Sequence, residues 1–87
     1  MEASIETSCR ICGLTDGKTH IWKDGEPLYI ICECCGMESG IGDETLERVR
    51  EYRGAWVGEG AKWSEPKRKP AAWNIFEQLA NIPLRWR

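Results

Sequence analysis

Apolar and polar positions change rhythm twice along the chain. The first eight residues form a short polar lead-in. Thr19-His20-Ile21-Trp22 has the composition of a strand, and Lys23-Asp24-Gly25-Glu26 supplies turn chemistry. Pro27 then opens a second run of β-formers, Leu28-Tyr29-Ile30-Ile31. The pattern predicts a β-hairpin across these two runs. A glycine-rich loop over residues 36–42 follows.

The period then lengthens. Leu46, Val49, Tyr52, Arg53 and Trp56 recur at steps of three and four, which predicts a helix over residues 44–57 with one apolar, aromatic face. Asp43 is the expected N-cap, Glu44 and Glu47 suit the positive end of the helix dipole, and Gly58 and Gly60 end it. Residues 63–70, WSEPKRKP, read as a proline-bounded loop. A last short helix is expected over residues 74–81. Asn74 and Glu77 resemble a capping box, Ile75, Leu79 and Ile82 share a stripe, and Pro83 stops it.

The expected fold is small α+β: a zinc-ribbon-like hairpin over residues 1–42, then a two-helix, tryptophan-rich tail over residues 43–87 packed on it as a single domain. A chain of 87 residues buries a modest core and calls for a staple. The cysteines supply the candidate. All five lie in the first 35 residues, an odd number that argues against a secreted disulfide scaffold. Without a signal-peptide core or a membrane-length apolar run, the chain reads as soluble and cytoplasmic, with reduced thiols.

Four of the cysteines fall in two C-x2-C pairs, Cys9/Cys12 and Cys32/Cys35, separated by nineteen residues and each followed by glycine. Two intervening residues let one tight turn present both thiolates to the same ion. The glycine accepts the backbone geometry that closes such a turn. A hairpin between the pairs brings the turns together around one tetrahedral ion. Structural zinc is the leading reading, because four thiolates close the shell. Iron in a rubredoxin-like site and dithiol redox chemistry are the competing ones. Cys34 could replace Cys35 as a ligand. The symmetry of two C-x2-C-G loops instead leaves it spare, either as a small buried residue or as a thiol activated by the metal.

No catalytic constellation accompanies the site. His20 is the single histidine and reads as a polar residue at a strand edge. Of five tryptophans, Trp56, Trp63 and Trp73 are expected in the core, and Trp86, between Arg85 and Arg87, is the best candidate for a recognition surface. Lys67-Arg68-Lys69 is the single basic run in the sequence and reads first as a solvated loop.

The formal net charge of −2 is unevenly spread. Residues 1–61 hold twelve acids against six bases, and residues 62–87 hold six bases against two acids. An acidic metal-bearing region disfavours nucleic acid, whose readers present a basic face.

The motifs together, CxxCG at Cys9–Gly13, YxICxCCGxExG at Tyr29–Gly40, and YRxxW…GxxW…P…KPxxW…QLxNIP at Tyr52–Pro83, resemble a set of small bacterial zinc-ribbon-like proteins of uncharacterised function. The resemblance covers most of the chain and implies a compact zinc-bearing domain. Its length and bacterial setting are similar to those of immunity proteins that neutralise toxins. The expected function is a zinc-stabilised, non-catalytic module that binds a protein partner, a toxin by that analogy. The alternative is a nucleic-acid-binding zinc ribbon.

Overall fold

The computed structural model describes residues 4–87. Three two-residue strands, β1 (Ile5–Glu6), β2 (Trp22–Lys23) and β3 (Glu26–Pro27), form an antiparallel sheet in the order β1-β2-β3. The register pairs Ile5 with Lys23, Glu6 with Trp22, and Trp22 with Pro27. Helix α1 (Leu46–Gly58) follows, then a 3-10 turn at Pro66–Arg68, helix α2 (Ile75–Leu79) and a final 3-10 turn at Leu84–Trp86. This is the small α+β arrangement expected, sheet first and helices after.

Several local expectations are corrected. The hairpin exists, but it is β2–β3 around Asp24-Gly25, and its second strand ends at Pro27. Leu28–Ile31 does not continue as a strand beyond it. Tyr29 adopts φ +55°, which turns the chain, and the main chain of Ile30 bonds instead with Ser39, accepting from its N–H and donating to its Oγ. The polar lead-in is not inert. Ile5–Glu6 adds a strand on the other side of β2, while residues 1–3 lie outside the described part.

The face of α1 is as its periodicity predicts. Val49 and Trp56 are buried, and Leu46, Tyr52 and Arg53 are half-buried. Its N-cap, however, is Thr45, whose hydroxyl accepts from the Arg48 N–H. Asp43 cannot cap because its carboxylate is buried and engaged elsewhere, accepting from the Trp22 indole and the Gly40 N–H. Asn74 does cap α2, accepting from the Phe76 and Glu77 N–H groups, but that helix ends at Leu79, before the expected residue 81. Five residues give a helix little cooperativity, so packing through Gln78, Leu79 and Ile82 holds it. Among the described residues, no helix is long and apolar enough to cross a membrane.

Candidate metal centre

The two C-x2-C-G segments adopt one backbone geometry. In the first, the Cys9 N–H donates to the Leu14 carbonyl at 2.8 Å and the Gly13 N–H to the Cys9 carbonyl at 2.9 Å. In the second, the Cys32 N–H donates to the Met37 carbonyl and the Gly36 N–H to the Cys32 carbonyl, both at 2.9 Å. Matching bridges, Ser8 with Thr15 and Ile31 with Glu38, close the two knuckles. Gly13 and Gly36 take φ +84° and +80°, the left-handed region where a Cβ is strained. At Gly13 a Cβ would also lie 2.1 Å from the Gln78 carbonyl oxygen.

The knuckles converge. The Sγ atoms of Cys9, Cys12, Cys32 and Cys35 all lie within 4.8 Å of one another, and all four residues are buried. Cys9 and Cys35 sulfurs stand 3.6 Å apart, and those of Cys12 and Cys32 3.5 Å. A tetrahedron with metal–sulfur bonds of about 2.3 Å has sulfur–sulfur edges of about 3.8 Å, so the donor set fits one such ion. All five cysteines are free thiols rather than disulfides. The hydrogen bond from Cys12 pushes the Cys32 thiol down, and the same bond pushes Cys12 up. Thiols crowded in this way share protons, and a divalent cation that binds all four as thiolates would replace them. The group is therefore able to hold one metal ion.

Cys34 stands apart from this group, and the knuckle symmetry gives the reason. It occupies the position in the second knuckle that Ile11 holds in the first, and both are fully buried. That position points into the core. The Cys34 sulfur accepts from Gln78 Nε2 at 3.2 Å. The C-x2-C register expected from sequence thus selects Cys35, and Cys34 packs as a small buried side chain.

A tight turn exposes carbonyls, and buried ones need partners. The C-terminal half supplies them at equivalent positions of both knuckles. Arg53 donates to the carbonyls of Arg10 (2.8 Å) and Ile11 (2.6 Å), and Gln78 Nε2 to that of Cys12 (3.3 Å). In the second knuckle the Glu65 and Ser64 N–H groups donate to Glu33 and Cys34, and the Tyr52 hydroxyl to Cys35, each at 2.8 Å. Burial, and then the negative charge of the cysteine cluster, push the Tyr52 phenol above its ordinary value. Trp63, in the segment that follows α1, meets Trp73 edge to face at 5.7 Å. The C-terminal half is thus the support of the two cysteine turns.

Arg10 is the support that sequence reading missed. Its guanidinium lies between the rings of Trp22 and Trp86, 3.7 and 3.8 Å from their centroids. It donates two bonds to Glu6, at 2.8 and 2.7 Å, and a third to the Asp43 carbonyl. Burial alone would raise the Glu6 pKa, but Arg10 and then Arg85 bring it below the ordinary value. Trp86 is thereby corrected from a surface candidate to a packing residue: its ring closes this stack beside the core. Arg10 carries no period or motif. Its only signal was a charged residue between the two cysteines of a C-x2-C turn. His20 is exposed but lies outside any strand, because β2 begins only at Trp22. Lys67, Arg68 and Lys69 are exposed around the 3-10 turn, with Arg68 3.5 Å from Glu33.

Comparison with known protein families, with curated proteins and with solved structures finds no match to this chain.

Proposed function

We propose that this chain is a non-catalytic protein-binding module stabilised by one structural zinc ion at Cys9, Cys12, Cys32 and Cys35. The observation that carries the reading is the closed set of four buried sulfurs. When all four positions of a tetrahedron come from protein thiolates, none is left for water or substrate, so the ion supplies folding energy rather than a Lewis-acid site. Nitrogen- and oxygen-rich sites suit other metals, whereas a tetrahedral all-sulfur site suits zinc or iron.

The binding part of the proposal rests on exposed apolar side chains in the segment that carries the second knuckle. Tyr29, Ile31 and Ile41 are 57%, 60% and 62% exposed, and the segment around them is acidic. Apolar side chains rimmed by one sign of charge suit a partner of the opposite sign. A basic toxin neutralised by an immunity-type inhibitor is one partner of that chemistry. The nucleic-acid alternative has the exposed Lys67–Lys69 run in its favour, but that run adjoins Glu33 and stands alone in the sequence.

Metal analysis should return one zinc per chain. A tagged chain, expressed in cells carrying its native gene neighbourhood, should retain a basic protein. Iron at the site would replace the zinc reading with an electron-transfer one. Recovery of salt-sensitive nucleic acid and no protein would replace the module reading with the alternative.

A further inference from the structure

A cleft of about 230 Å³ lies between the flank of the first knuckle and the entry to the second. Leu14, Ile21, Ile30 and Ile31 wall it, and Asp16 and Glu33 stand among its polar lining. Among the described residues, no lysine, arginine or histidine lines it. A third lining carboxylate, Asp43, is already satisfied by Trp22 and Gly40. Asp43 is also buried, whereas Asp16, although it accepts from the Lys18 and Thr19 N–H groups and the Thr19 hydroxyl, and Glu33 are exposed, so these two are the carboxylates a ligand would meet.

We propose that this cleft receives one lysine or arginine side chain of a protein partner. The inference deepens the protein-binding reading and rests on it. Long cationic side chains bury an aliphatic stem against apolar walls and keep the charged head at a polar rim. This cleft has both parts, isoleucine and leucine walls and two exposed carboxylates in its lining. An anionic side chain would meet like charge, and a purely apolar one would leave the rim without a partner.

Asp16 is held ionised, its pKa lowered to about 2 chiefly by the hydrogen bond from the Thr19 hydroxyl. Glu33 now faces Arg68 at 3.5 Å, an exposed pair that an incoming cation can displace. Arg68 thus acts as the chain's own competitor for the site.

The test is a titration of the zinc-loaded, 15N-labelled chain with four capped tripeptides, Gly-X-Gly, where X is arginine, lysine, norleucine or glutamate. The arginine and lysine peptides should shift the amides of Ile21, Ile30, Ile31 and Glu33 saturably. Norleucine should bind about threefold or more weakly, and glutamate weaker still. Glu33→Gln should weaken the cationic peptides by about three- to fivefold, and Arg68→Gln should strengthen them. Both side chains are exposed, so overlaid spectra away from the cleft verify the fold.

Equal binding of norleucine, shifts centred elsewhere, or no shifts would overturn the proposal. So would shifts that depend on protein concentration alone, which would place a second copy in the cleft. The peptides require no natural partner. A failed titration therefore leaves protein capture from cells intact as a separate result, and a failed capture leaves the cleft's charge selection measurable.

Discussion

Replacing Arg10 with alanine should destabilise the zinc-loaded protein by about 4 kcal/mol, a large share of a small domain's stability. The guanidinium and the Glu6 carboxylate face each other with side chains only 5% and 10% exposed. Removing one partner of a buried pair costs about 3–5 kcal/mol. Here Arg85 stands 3.0 Å from the same carboxylate and takes over part of the neutralisation, so about 2 kcal/mol is the better figure for the pair. The two tryptophan stacks add about 1–2 kcal/mol together, and the bond to the Asp43 carbonyl about 1 kcal/mol. Lysine at this position keeps the charge but loses the fork and the flat stacking surface, so Arg10→Lys should cost about half as much. Arg85→Ala, at an exposed position, should cost about 0.5 kcal/mol or less. Urea titration at fixed excess zinc, followed by tryptophan fluorescence, measures all three. If Arg10→Ala costs under about 1 kcal/mol, or no more than Arg85→Ala, then the stack is an ornament of the packing and its energetic assignment is wrong.

Three further outcomes are expected. Chelation, or Cys12→Ser, should unfold at least the N-terminal half, since structural zinc contributes about 10–16 kcal/mol of binding energy in comparable sites; far-ultraviolet circular dichroism unchanged after complete metal removal would contradict this. Gly13→Ala should destabilise by more than about 2 kcal/mol through its positive φ and its approach to Gln78, whereas Gly54→Ala, in mid-helix with nothing within 4 Å, should stabilise by about 0.5–1 kcal/mol. Glu6 has a folded-state pKa below its unfolded one, so its contribution is present above the unfolded value and is lost as pH falls through the folded one. Comparing the acid limb of stability in the native chain and in Glu6→Gln should isolate that loss from proton competition at the cysteines, and parallel curves would remove Glu6 as its source.

The converging four-cysteine set was legible from the chain because its determinants are local. Two residues between cysteines and a following glycine specify a turn whatever surrounds it, and the two turns indeed repeat each other bond for bond. The face of α1 was legible for a related reason: a period of 3.6 written over thirteen residues outweighs any single neighbour. The end of β3 was not legible, because Leu28–Ile31 has strand composition while Tyr29 takes a left-handed φ and Ile30 bonds to Ser39. Nor was the cap of α1, since Asp43 suits the role, but the distant indole of Trp22 and the Gly40 N–H claim its carboxylate and leave the cap to Thr45.

What tertiary structure alone decided is the division of labour between the halves. Nothing in the spacing of Tyr52, Arg53, Ser64, Glu65 and Gln78 says that they answer the six knuckle carbonyls, yet the fold brings each to its partner. Arg10 and Glu33 occupy the same place in equivalent turns. One is sealed between two tryptophans and the other faces solvent. Local chemistry can shape a turn, but the burial of a charge or a carbonyl depends on which remote segment arrives to cover it.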